Sequence, residues 1–269
     1  MARLQAGAKK PVLVKGLLIC CTCTLLLSVA LGIWAALTND YSAVLNYEDI
    51  ALIQLDAPQP GDPVCIMHTD LGDMTFALYP DECPETVKNF TALAAQGRYD
   101  NTYIFRVEQN IFFSGGSKNP DGFLSSDDKN LPEEHVPQEL APKLWPLRGA
   151  LCALGTSSEG GFWQNLTRTR DYFTGSRFLV ADSIEMTDDI KTGLTEGGND
   201  AMQRVGQAFA DHGGIPNYAQ QITVFGQLID GFDVLDAVTG AELTGEEGSM
   251  RPKTDIMIRS VEIGTYPAA

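Results

Sequence analysis

Basic side chains are scarce in this 269-residue chain: 19 Lys and Arg stand against 35 Asp and Glu, a formal charge of -16. A nucleic-acid binder needs cations to displace counterions from phosphates, and a lipid-headgroup surface needs them too, so neither class fits the acidic bulk of the chain. Histidine is scarcer still. His68, His135 and His212 lie far apart and share no metal-ligand spacing, so no metal centre is expected. Of six cysteines, Cys20, Cys21 and Cys23 fall in one apolar run. The other three, Cys65, Cys83 and Cys152, form no CxxC pair, which excludes a zinc ribbon and a thioredoxin-like redox centre. Burial as small apolar side chains is the simplest reading for them. No Ser or Asp falls in a recognised nucleophile motif, and Gly115-Gly116 lacks the strand–loop–helix setting of a phosphate loop.

The charge that is present is unevenly placed. Residues 1–37 hold Arg3, Lys9, Lys10 and Lys15 and no acid, and residues 17–37 carry no charge at all. A helix of that length spans about 31 Å, close to the hydrocarbon thickness of a bilayer. Cations precede the run and Asp40, Glu48 and Asp49 follow it, which orients the N-terminus to the cytosol and the remainder outside. The expected plan is a cytosolic basic N-terminus over 1–16, a transmembrane anchor over 17–37, a stalk over 38–63 and a folded domain over 64–269. A cleaved signal peptide, with small Ser28 and Ala30 before the cut, is the alternative, and it exports the domain equally.

From Val64 the pattern is mostly short β segments. Val64–Thr69 and Asp73–Tyr79 flank Gly72 and predict a hairpin. Pro84–Gln96 predicts a helix: Pro84 suits the first turn, Glu85 suits the positive end of the dipole, and Val87, Phe90, Leu93 and Ala94 share one face. Further strands are expected at Thr102–Val107, Ile111–Phe113, Gly149–Leu154, Arg177–Ala181, Ile222–Leu228 and Ile256–Ile263, with helices at Asn199–His212 and Phe232–Val238. Many strands and few helices predict a mainly-β fold, a closed antiparallel barrel capped by helices.

Several blocks then resemble the cyclophilin-type peptidyl-prolyl isomerases. They are Leu78-Tyr79-Pro80, Pro84-x-Thr86-Val87-x-Asn89-Phe90-x-x-Leu93, Phe105-Arg106-Val107, Gly115-Gly116, Arg148-Gly149-Ala150-Leu151, Gly175-Ser176-Arg177-Phe178, Thr223-Val224-Phe225-Gly226 and Gly231-Phe232-Asp233-Val234-Leu235. Their order and spacing hold over roughly 200 residues. The resemblance implies a closed eight-stranded antiparallel barrel with two capping helices and a substrate groove on one outer face. It also implies cis/trans rotation about X–Pro bonds of unfolded or exported polypeptides, with no cofactor and no metal.

Arg106 matches the family's catalytic arginine. The resemblance assigns substrate contact to Ile111, Phe112, Ser114, Leu154, Gly155, Leu179, Asn217, Tyr218 and Ile222. Here the chain departs from the pattern. Ser114 stands where a glutamine is usual, Leu179 where a phenylalanine is, Leu154-Gly155 for Ala-Asn, Asn217-Tyr218 for Trp-Leu, and Ile222 for a histidine. The arginine and an apolar floor remain while most polar substrate contacts go. Two longer connections accompany the change: Thr156–Thr174, which carries Phe162, Trp163, Tyr172 and Phe173 towards the groove, and Asp182–Gly214 with its own helix. Weakened isomerisation is one expectation; a non-catalytic proline-peptide-binding or chaperone-like module is the other.

Overall fold

The two apolar stretches flanking Gly72 pair as an antiparallel hairpin, β1 (Pro63–Thr69) with β2 (Gly72–Leu78), Val64 opposite Ala77 and Thr69 opposite Gly72. This computed structural model describes residues 47–157, 172–245 and 249–267, all of them within one unit formed by Leu45–Gly160 and Arg170–Ala269. The apolar run over 17–37 lies outside the described residues. Among the described residues no helix is long and apolar enough to cross a membrane.

The remaining strands are β3 (Thr102–Tyr103), β4 (Arg106–Glu108), β5 (Phe112–Gly115), β6 (Val136–Pro137), β7 (Ala150–Ser157), β8 (Tyr172–Ala181), β9 (Thr223–Asp230) and β10 (Met257–Thr265). They form one antiparallel sheet in the order β3-β10-β1-β2-β9-β7-β8-β5-β4, with β6 on β8. The sheet curls until its two ends are consecutive pieces of chain.

Eight strands in a closed ladder were expected; ten are present, and among the described residues β3 and β4 are joined by no ladder. The expected strand Thr102–Val107 divides because the backbone changes partner within it. Ile104 donates its N–H to Ile256 beside β10, and Phe105 donates to Ser114 on β5. Tyr103 adds an isolated bridge to Ser117 across the seam.

Helix α1 (Pro84–Ala95) buries Val87, Phe90, Leu93 and Ala94 as their spacing requires. Its orphan N–H groups find a distant acceptor: the Glu139 carboxylate takes the N–H of Glu85 at 3.2 Å and of Thr86 at 2.8 Å. Phe90 then anchors an aromatic cluster, 5.0 Å from Tyr99, 5.1 Å from Phe225 and 6.3 Å from Phe178 between ring centroids.

The insertion between β8 and β9 holds two helices rather than one, α2 (Asp188–Glu196) and α3 (Asp200–His212). α2 escapes a periodicity search because it buries none of its residues. It packs on α3 through Gly206, where a Cβ would come within 1.9 Å of the Leu194 carbonyl. A second apolar cluster lies beneath, built on Trp145, Val205 and Phe209 and joined by Ile50 from the segment expected as stalk. Gln54, buried in that segment, donates to Gln227 at 2.8 Å and accepts from the Trp145 N–H. α4 (Phe232–Thr239) completes the helices and lies against β2, β4 and β5.

His68 on β1 bonds Asp73 at 2.8 Å, with Glu262 at 3.6 Å. The bond to Asp73 raises the imidazole pKa, outweighing partial burial, and the Glu262 charge adds to it. A raised folded-state pKa contributes stability that is complete below the unfolded value of about 6.5 and disappears as pH rises through the folded value. Urea unfolding at pH 5.5 and 8.5 should therefore show wild type losing its advantage over His68→Gln at the higher pH. For so exposed a pair the difference is under about 1 kcal/mol. An advantage independent of pH would contradict the assignment.

Candidate functional site

Sheet register lays out one outer face. On β4, β5 and β8, Val107, Phe113 and Val180 point inward and are fully buried. Alternation therefore turns their neighbours outward. Arg106 stands opposite Ser114, Ser114 opposite Leu179, and Leu179 opposite Cys152, a single row across four strands. Neighbouring strands lie about 4.8 Å apart, so the arginine backbone is two ladder steps, roughly 10 Å, from that of Leu179. The next row is Glu108, Phe112 and Ala181.

Arg106 is half exposed, at 47%, and its Nη2 lies 3.5 Å from Glu108. Its guanidinium sits 5.3 Å over the Phe112 ring, and Phe112 lies 6.3 Å from Tyr218, tilted by 49°. Phe112 and Leu179 are buried in the main core, with Ile111, Leu154, Tyr218 and Ile222 partly buried against it. Ser114 is buried, leaving its short hydroxyl under the surface rather than reaching out of it. A cation thus borders an apolar floor rimmed by one tyrosine.

Two expected residues stand apart from this chain of contacts. Gly155 is exposed opposite Thr174, and Asn217 is exposed with its carbonyl accepting from the Gln221 amide at 2.8 Å. Of the loop aromatics, Phe162 and Trp163 lie outside the described residues. Tyr172 and Phe173 belong to β8 opposite Ser157 and Thr156, and the Phe173 ring faces His135 at 5.7 Å. Gly115-Gly116 is a backbone device: Gly116 has φ +89°, and a Cβ there would meet the Ser176 carbonyl at 2.7 Å.

A polar network holds the rim from behind. The N–H of Asp182 donates to the Ile111 carbonyl at 2.7 Å. Its carboxylate accepts from Arg148 Nε at 2.7 Å and from Thr239 Oγ1 at 2.7 Å, and Arg148 also reaches Asp236. Burial alone would lower the Arg148 pKa, but the hydrogen bonds from Asp182 and Asp236 outweigh it and raise the value. Sequence reading missed this network because its members are 34 and 57 residues apart with no local pattern. It also passed over Arg177, which alternation on β8 places on the same face as Leu179.

Cys65, Cys83 and Cys152 are free and buried, as expected of small apolar side chains. Burial pushes the Cys65 and Cys83 thiols up to about 12 and raises that of Cys152 as well, so none is a ready nucleophile. Among the described residues no group of His, Cys, Asp and Glu could hold a metal ion.

Comparison with known proteins gives a consistent answer. Residues 64–174 match the family model for cyclophilin type peptidyl-prolyl cis-trans isomerases. A Staphylococcus saprophyticus protein provisionally named a peptidyl-prolyl cis-trans isomerase is 31% identical over 198 residues, covering 74% of this chain and 90% of that protein. A Streptococcus pyogenes protein provisionally named a bifunctional phosphatase and peptidyl-prolyl isomerase is 29% identical over 218 residues, but this chain spans only 42% of its length. The fold is shared with a Cryptosporidium parvum cyclophilin crystal structure at TM-score 0.54 and 22% identity, over 77% of this chain and 99% of that one. A second structure of that protein, determined in the presence of the dipeptide Ala-Pro, superposes at TM-score 0.53.

Removing the Asp182 carboxylate takes one partner each from Arg148, which keeps Asp236, and from Thr239, whose Oγ1 keeps the Leu235 carbonyl. Asp182→Ala should cost about 1–2 kcal/mol in urea unfolding, the range for losing charge-assisted hydrogen bonds whose donors keep a second partner. It should also shift the amide resonances of Ile111 and Phe112. A loss below about 0.5 kcal/mol, as for a plain surface substitution, would contradict the supporting role.

Proposed function

Since the chain belongs to the cyclophilin-type peptidyl-prolyl cis-trans isomerase family, we propose that it rotates X–Pro bonds on the face built around Arg106. The obstacle is amide resonance, a barrier of about 18–20 kcal/mol. No bond is cut and no proton need move. Rotation is accelerated by any site that binds the twisted amide better than either planar isomer.

Phe112, Leu179 and Tyr218 grip the proline ring by apolar contact, with Ile111, Leu154 and Ile222 as the wall. Arg106 supplies the differential term. As the amide twists, its nitrogen pyramidalises and its carbonyl oxygen loses resonance, so donors gain strength towards both. A guanidinium suits the task because it stays charged and holds several donors in a plane. The observation that carries this reading is the Arg106 guanidinium 5.3 Å over the Phe112 ring, a cation at the edge of the apolar floor.

The departures fall on binding rather than on the twist. Ser114 is buried, and Gly155 has no side chain, so backbone contacts to substrate are fewer and the Michaelis constant is high. A second reading, a proline-peptide binder without catalysis, is supported by the substitutions at Ser114, Leu179, Asn217 and Ile222. The apolar run over 17–37 supports anchorage of the domain outside a membrane, with exported polypeptides as substrates.

Isomer exchange by NMR on the full chain, with an Ala-Pro and a Phe-Pro peptide, separates the two readings. Uncatalysed exchange takes tens to hundreds of seconds, so a weak enzyme is visible. Wild type should accelerate exchange, and Arg106→Ala should lose about 100-fold of the acceleration, the usual effect of deleting one such donor. Peptide binding with no acceleration in wild type would favour the binding module.

A further inference from the structure

Beside the floor lies a second cleft of about 670 Å³, lined among others by Arg106, Arg177 and Arg251. Three arginines line it although acids outnumber Lys and Arg by 35 to 19 over the chain. Arg177 is the most telling. It is partly buried, its Nη1 donates to the Gly122 carbonyl at 3.0 Å, and among the described residues no carboxylate comes within ion-pair distance. Burial lowers its pKa, with the charge of Glu134 acting against that, so this cation is desolvated without full compensation.

The other groups on the cleft define what it accepts. Arg251 is paired with Asp255 at 2.7 Å and Arg106 lies beside Glu108, so both already carry carboxylates on one side. Asp121 also lines the cleft, its Oδ1 accepting from the Phe123 N–H at 3.0 Å, and its charge confines an acidic guest to the Arg177 side. Phe123 is 68% exposed and Met250 37%, giving the rim two large apolar side chains. A guest with a carboxylate on a short apolar stem fits both features.

Register says where that guest sits. Arg177 and Leu179 are two apart on β8 and share its outer face, a step of about 6.8 Å. Residues two apart in an extended peptide have the same spacing and face. We propose that this cleft is a subsite for an acidic side chain, Asp or Glu, two residues from the proline in the bound peptide. This rests on the isomerase reading of the Arg106 face and adds a substrate class to it.

The test uses the full chain and Ala-Pro peptides with Glu, Gln or Lys two residues before or two residues after the proline. Affinity is read from resonance shifts and exchange rate from the same samples. Wild type should favour Glu over Gln by about tenfold on one side of the proline, the size of one charge-assisted hydrogen bond, and Lys should be worst. The preference should vanish in Arg177→Gln while Gln peptides bind that variant as they bind wild type. Because Arg177 is partly buried, salt screens its pairing only in part, so wild type should still favour Glu over Lys peptides at 0.5 M NaCl, by a smaller ratio than at 0.05 M. Equal binding of Glu and Gln peptides at every position, or a preference for Glu that survives in Arg177→Gln, would overturn the proposal. Acid-dependent binding without faster exchange would support the subsite while contradicting catalysis, so the two failures are distinct.

Discussion

The inward demand of Phe113, Phe178 and Val180 governs everything on the outer face. These side chains are buried beside Phe90, Tyr99 and Phe225, and a one-residue slip of β5 or β8 would expel them. With their direction fixed, Ser114, Leu179 and Arg177 have nowhere to point but out. The row Arg106–Ser114–Leu179–Cys152 is therefore a by-product of core packing. Exposed groove positions such as Arg106 can change at little cost to the fold so long as the inward set is kept, whereas Phe112 and Leu179 are themselves part of the core. This is the pattern here: the aromatic core is intact while the outer positions are substituted.

The chemistry tolerates such substitution because so little of it is chemistry. A twisted amide requires no nucleophile, no titrating base and no metal, and the three free thiols are buried with raised pKa values. In the proposed mechanism one guanidinium beside an apolar surface supplies the differential interaction, and further polar contacts set affinity and selectivity. Ser114 is too short to reach out of the surface, while Arg177, two residues along β8 from Leu179, places a cation on the same face. With Arg106 beside Glu108 and Arg251 paired with Asp255, Arg177 is the arginine on that cleft with no carboxylate at ion-pair distance among the described residues.

Much of the scaffold was legible because it is local. The Gly72 hairpin, α1 with its 3.6-residue apolar face, and the period-two strands all declare themselves within a dozen residues. Three features did not. The strand over 102–107 divides because Ile104 donates its N–H to Ile256 beside β10 while Phe105 donates to Ser114 on β5, a choice made by tertiary structure. Helix α2 carries no buried stripe to betray it, and its contact with α3 runs through backbone at Gly206. Ile50 and Gln54 lie in a stretch that reads as linker but dock on Trp145 and Gln227, partners nearly a hundred and more than a hundred and seventy residues away. Arg106, Phe112 and Tyr218 were named from motif position and are joined in space, whereas the Arg148–Asp182–Thr239 support has no sequence signature.

The central claim is spatial: the proline ring rests on Leu179 and Phe112 with Arg106 at its amide. The direct measurement is a set of intermolecular NOEs between the full chain and an Ala-Pro peptide labelled with ¹³C in the proline. The account predicts contacts from the ring protons to the Leu179 methyls and to the Phe112 and Tyr218 rings. Contacts confined to another surface, such as the cleft beside Tyr79 and Pro80, would contradict it.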